Sequence, residues 1–183
     1  MQTWTHPGGK LIELGAHSLS QDELFEILIG SGYKGRTAQD IAKELLDSYF
    51  GIYGLWNKTF DDLSKIKGLK NGKIKRLAAP YEIGKRVIKE NQWHLPAVRK
   101  VTLGLPDYTD AELLAVLICS GYKDKTPEDL AEELLRRYRS LSGIMGEKLS
   151  DMATIKGLGD VKVIRIAAAY ELIRRMVKLL EAE

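Results

Sequence analysis

Ile66-Lys67-Gly68-Leu69 recurs 89 residues later as Ile155-Lys156-Gly157-Leu158, and reading outward from these two stretches decides how the chain is organised. Upstream, Ser31-Gly32-Tyr33-Lys34 returns as Ser120-Gly121-Tyr122-Lys123 in the same register. Downstream, Ala78-Ala79 and Tyr81-Glu82 return as Ala167-Ala168 and Tyr170-Glu171, and Pro7 and Leu14-Gly15 find partners in Pro96 and Leu103-Gly104. Self-similarity at a fixed period marks a repeated unit, so one module is written twice.

Halving the 183 residues at 1–92 and 93–183 gives two units, each large enough to close a modest core. Two small domains and one pseudo-twofold body are both allowed. The joining stretch Glu90-Asn91-Gln92-Trp93-His94-Leu95-Pro96 is short and carries a Trp and a Leu that favour burial, which predicts packed repeats.

The net charge of +3 permits a polyanionic partner without demanding one. The single Cys119 excludes an internal disulfide framework and a Cys-rich zinc site, and fits a reducing cytoplasm. No apolar run follows Met1 and no stretch approaches a membrane span, so a soluble cytoplasmic protein with no membrane partner is expected.

Helices dominate the pattern. Ser20-x-x-Glu23 and Thr109-x-x-Glu112 read as capping boxes, and Thr37 and Thr126 as the next N-caps, the latter followed by Pro127 at the first helical position. Ile41, Leu45 and Leu46, matched by Leu130, Leu134 and Leu135, form a buried stripe. Short helices are predicted around Leu55-Trp56 and from Phe60 to Ile66. A last helix carries Ile74, Leu77, Ala78 and Tyr81 at i, i+3, i+4 and i+7, and Pro80 within it should cost a hydrogen bond and kink the axis. No period-two strand stands out, so the fold class is all-α, with about five short helices per copy.

Met152-x-x-Ile155-x-Gly157-Leu158-Gly159, followed by an amphipathic helix, has the arrangement of a helix-hairpin-helix motif. The first glycine leaves a helix in a conformation costly for other residues, and Leu158 plugs the gap between helices. With no side chain at Gly159, a phosphate can approach the free N–H groups and positive dipole end of the next helix. Such a site grips a sugar-phosphate backbone and reads no bases. Gly157, Leu158, Gly159, Lys156, Lys162 and Arg165 are the first candidate binding set.

The second set is Lys67, Gly68, Leu69, Lys70, Gly72, Lys73 and Arg76, within the densest basic run of the chain, which also holds Lys65 and Lys75. Here Lys70 stands where the second glycine is expected and Gly72 comes two residues later, so the side chain either hinders backbone approach or supplies charge instead. Phe25, Leu28 and Gly30-Ser31-Gly32, with Leu114, Leu117 and Cys119-Ser120-Gly121, read either as a degenerate first hairpin or as plain left-handed helix ends.

The run Pro7, Lys10-Leu11, Leu14-Gly15, Leu19-Ser20, Glu23-Leu24, Gly30-Ser31-Gly32, Ile66-Lys67-Gly68-Leu69, Ala78-Ala79 and Glu82 resembles the N-terminal helix-hairpin-helix domain of RadC-type (UPF0758-like) proteins. The resemblance covers both repeats. It implies non-catalytic DNA binding in repair or recombination, with other repair proteins as further partners. In that family the domain precedes a JAB/MPN-type domain with a His-x-His metal motif; His6, His17 and His94 are isolated here, so that chemistry is not carried over and no metal ligand is assigned. Similar motifs sometimes hold a monovalent cation through hairpin carbonyls; no other cofactor is expected.

No catalytic residue is assigned. A glycosylase or lyase would need a carboxylate or a desolvated lysine in a pocket, and Lys70 and Lys73 read as exposed. Cys119 lies on an apolar helix without a His partner and reads as a small core residue. The stronger rival is a protein-interaction module that has lost DNA, because Glu128, Asp129, Glu132 and Glu133 share one helix of the second copy and Trp4, Trp56 and Trp93 could anchor a partner.

Overall fold

The computed structural model describes residues 5–183, so Trp4 lies outside the described residues. The first repeat comprises α1 (Pro7–Leu14), a 3-10 turn (Ala16–Ser18), α2 (Gln21–Ile29), α3 (Ala38–Tyr49), α4 (Gly51–Gly54), α5 (Phe60–Ser64) and α6 (Asn71–Glu90). The second comprises a 3-10 turn (Pro96–Lys100), α7 (Asp110–Ile118), α8 (Pro127–Tyr138), α9 (Leu141–Ile144), α10 (Leu149–Met152) and α11 (Asp160–Glu181). Among the described residues there is no strand, only the isolated bridges Tyr33 to Arg36 and Tyr122 to Lys125.

Local chemistry sets the helix starts. Ser20, Thr37, Thr59, Thr109 and Thr126 each accept from the backbone N–H three residues on, while the acidic residue there accepts the cap's own N–H. The short helix expected at Leu55-Trp56 lies just before it, as α4. Helix α6 continues through Pro80, which has no N–H to give the Arg76 carbonyl.

The repeats interlock. Helix α6 packs on α7 and α9 of the other repeat, and α11 packs reciprocally on α2 and α4. The two long helices also pack on each other, and Gly84 lets them close: a Cβ there would overlap Met176 Cε and lie 3.5 Å from Ile173 Cγ2. One apolar core runs from Phe25 through Ile83 and Leu113 to Leu180, across both repeats. The equivalent tyrosines Tyr81 and Tyr170 are buried and donate to the Ile52 and Leu141 carbonyls, 29 residues back in each case. Burial raises both hydroxyls well above the ordinary tyrosine range.

Two expectations need correction. Trp93 is 41% exposed, and of the joining stretch only Leu95 packs on the core. Cys119 is an exposed residue at the C-cap of α7 with φ 68°, in the place where the first repeat has Gly30 at φ 77°. The helix ends there in both copies, and the register that ends it turns the thiol outward.

Candidate nucleic-acid interface

Each hairpin turns on a left-handed glycine. Gly68 and Gly157 have φ of 103° and 108°. A Cβ on Gly157 would lie 2.8 Å from Tyr122 Cβ and 2.9 Å from Leu130 Cδ2, and one on Gly68 would lie 2.8 Å from Ile41 Cδ1. Leu69 and Leu158 are buried immediately after, filling the wedge between helices.

The chain then enters α6 and α11 through Lys70 and Gly159, which have extended backbones and give no side-chain cap. The N–H groups of Asn71, Gly72, Asp160 and Val161 find no acceptor among the described residues. Space is open in front of them, since a Cβ on Gly72 or Gly159 would meet nothing within 4 Å. These are the two longest helices, and both present unsatisfied donors behind a glycine hairpin.

The basic residues divide into three groups. Lys67, Lys70 and Lys156 are exposed, and the Lys70 and Lys34 ammoniums stand 5.7 and 5.4 Å from the Tyr33 ring centroid. Lys65 pairs with Asp62 and Lys75 stands over the Tyr108 ring, whereas Lys73, Lys162, Arg76 and Arg165 are turned toward carbonyls. Lys73 Nζ donates to Ser31 O and Gly32 O, and Lys162 Nζ to Gly121 O and Gly157 O. Desolvation, then the neighbouring Arg76 or Arg165, lowers the pKa of each ammonium.

Arg76 donates to Leu28 O and Ile29 O at 2.7 Å, and Arg165 to Leu117 O and Ile118 O at 2.8 and 3.4 Å. Both close the last turn of α2 or α7, where orphan carbonyls and the negative dipole end favour a cation. Desolvation lowers the Arg165 pKa.

Protein cations also engage hairpin carbonyls. Arg36 donates to Lys67 O at 2.8 Å, and Lys162 takes Gly157 O at 2.8 Å. A monovalent cation would share those oxygens with fixed positive charge, so the donor set does not fit one well. Among the described residues no three His, Cys, Asp or Glu side chains are grouped to hold a metal.

Both hairpins face the same side. A Cβ on Gly30 would lie 3.9 Å from both the Arg76 and the Arg165 Nη2, and Arg76 Nη1 reaches Cys119 Sγ at 3.2 Å. Further along, Gly84 of α6 meets Ile173 and Met176 of α11. The two helices therefore run in the same sense from one end, and a pseudo-dyad passes between Gly30 and Cys119 with one uncapped helix start on either side. On the acidic α8, Glu133 pairs with Lys125, and the Asp129 carboxylate is taken up by the Thr126 cap at the helix start. Asp160 stands exposed at the first position of α11, where the first repeat has Asn71.

Sequence reasoning missed Arg36 and the Tyr33-Lys34 and Tyr122-Lys123 pairs, although the repeated Ser-Gly-Tyr-Lys was the visible signal. It also missed that the Arg76 guanidinium reaches both the Gly30 end of α2 and Cys119.

Two hairpins of this build on one pseudo-twofold helical body define a tandem helix-hairpin-helix module. The UPF0758 N-terminal model matches residues 1–75 and again residues 94–164, and the chain belongs to this RadC-like family. Similar proteins include a UPF0758 protein of Alkaliphilus oremlandii, 40% identical over 125 residues, 64% of this chain and 54% of the relative. A UPF0758 protein of Staphylococcus haemolyticus is 43% identical over 81 residues, covering 44% of this chain and 36% of the relative. One of Clostridium beijerinckii is 39% identical over 80 residues, covering 44% and 35%. The chain thus spans about half or less of the length of these relatives. No solved structure matches it.

Proposed function

We propose that this chain is a non-catalytic module that binds the sugar-phosphate backbone of DNA with little sequence preference, in a repair or recombination setting. The observation that carries the reading is the pair of uncapped α6 and α11 starts, each behind a left-handed glycine hairpin and both on one face. Free N–H donors at a helix start favour a phosphate, and two such starts about a pseudo-dyad suit the antiparallel strands of a duplex. Lys67, Lys70 and Lys156 add exposed charge beside them, while Lys73, Lys162, Arg76 and Arg165 shape the loops and helix ends that aim the donors. An exposed thiol at the centre of the face suits a reducing cytoplasm.

The test is fluorescence anisotropy with single-stranded, duplex and branched DNA across a salt series. Micromolar or tighter binding that weakens steeply with salt is expected for the wild type. Gly159→Glu and Lys70→Glu should each weaken it about tenfold or more, and Asp160→Asn should strengthen it, because one negative charge leaves the phosphate site. Absence of binding at low salt to all three DNAs would remove the reading.

A further inference from the structure

The pseudo-dyad is broken where the chain leaves α6. After α6 the chain crosses the first repeat in extended form, and Thr102 N and Leu103 N both donate to Trp56 O, at 2.7 and 2.9 Å. Val101 and Leu103 are 3% and 2% exposed, and Gly104 passes so close to Glu82 that a Cβ there would lie 2.5 Å from the carboxylate. The groove of the first repeat is thereby closed by Val101-Thr102-Leu103-Gly104-Leu105.

In the second repeat the equivalent groove is only partly covered, by the end of α1 and the 3-10 turn after it. Met145 stands for Trp56, Glu171 for Glu82, and Ile12–Ala16 for Val101–Leu105. Those last residues are instead the end of α1 and the start of a 3-10 turn, so Ile12 and Leu14 are 53% and 46% exposed. No backbone N–H reaches Met145 O among the described residues. What remains is a cavity of about 730 Å³, lined by Ile12, Gly15 and Ala16 themselves and by Met145, Ala167 and Glu171, among others.

We infer that this groove binds an extended segment of a partner protein with the pattern Val-x-Leu-Gly-Leu. The molecule itself displays the complementary ligand in the equivalent groove: backbone N–H groups for the carbonyl at position 145, alternating apolar side chains for the cavity, and a glycine where the chain must pass the buried glutamate. Five extended residues span about 16 Å, and alternate side chains enter while the backbone supplies register. The inference does not depend on DNA binding.

The experiment uses the full chain and a fluorescein-labelled peptide of residues 99–107, Arg-Lys-Val-Thr-Leu-Gly-Leu-Pro-Asp. Saturable anisotropy is expected in the micromolar range, with amide shifts concentrated at Met145, Gly146 and the adjoining face of α11. Replacing the peptide's glycine by alanine should weaken binding about tenfold, or 1.4 kcal/mol. Ala167→Phe, which fills the cavity, should abolish binding; circular dichroism checks its fold, and the peptide substitution tests the same contact on unaltered protein. The inference is overturned by no saturation up to about 1 mM, which would mean that α1 itself fills the groove in solution. It is equally overturned by shifts mapping elsewhere, by indifference to the glycine replacement, or by a peptide-induced dimer in which the wild-type chain exchanges its own 101–105 segment.

Discussion

Arg86 and Arg175 make the same bond in opposite directions. Arg86, near the end of α6, donates to Tyr108 O at 2.6 Å in the second repeat, and Arg175 on α11 donates to Leu19 O at 2.5 Å in the first. Each is held by the buried glutamate one turn back, Glu82 or Glu171, and Arg86 also pairs with Asp110 at 2.6 Å. The joint is thus built twice from equivalent atoms.

Removing one half of it should loosen the whole molecule. Arg86→Ala is expected to cost about 2 kcal/mol, the scale for hydrogen bonds to a charged donor, and urea unfolding should remain a single transition by both circular dichroism and tryptophan fluorescence. Residues 1–92 expressed alone should lose cooperative unfolding, since α2 then lacks α11 and α6 lacks α7. An independently stable half with a sharp transition would contradict the interlocked core.

The two hairpin glycines should behave differently. Gly157→Ala meets both a left-handed backbone and the Tyr122 side chain, and should destabilise by about 2 kcal/mol or more. Gly159→Ala has φ −75° and open space around it, so the melting temperature should change little while DNA affinity falls. Equal melting temperatures for the two variants would show that the turn is not strained as described.

Cys119 offers a direct probe of the face. It is the sole cysteine of the chain, it is exposed, and it touches Arg76 at the centre of the pseudo-dyad. Alkylation with a bulky maleimide should leave the helical spectrum unchanged and weaken DNA binding, and excess duplex should slow the alkylation. Undiminished binding by fully labelled protein would move the DNA surface elsewhere.

Acid should destabilise the fold through its helix caps. Hydrogen bonds from Thr37, Thr109 and Thr126 hold Asp40, Glu112 and Asp129 below the ordinary carboxylate range, and Lys65, then Thr59, does the same to Asp62. A carboxylate lowered in the folded state contributes stability that is complete above its unfolded pKa and lost as pH falls through the folded one. The melting temperature should therefore be flat from pH 7 to about 5 and decline below about pH 4, with Asp129→Asn flattening part of that decline. A melting temperature that rises on acidification would refute this assignment.

The repeat, the capping boxes and the paired Gly68-Leu69 and Gly157-Leu158 were legible because each is fixed by a few neighbouring residues. The direction of the basic side chains was not. Helical spacing puts Lys73, Arg76, Lys162 and Arg165 at the starts of α6 and α11, but their carbonyl acceptors lie 41 to 48 residues away in sequence. Lys162 to Gly157 O is the one local exception. The partly covered groove was hidden for a related reason. Ile12-Glu13-Leu14 is the last turn of a His6-capped, Pro7-started helix, whereas Val101-Thr102-Leu103 carries two β-branched residues that favour the extended form, so equal register does not give equal structure.

Reciprocal packing about a dyad is what two identical subunits ordinarily achieve by associating, with occupancy set by how many are present. In this protein both halves are on one polypeptide, so the face carrying the two hairpins assembles at any dilution, and the spacing between its two uncapped helix starts is fixed before any ligand arrives.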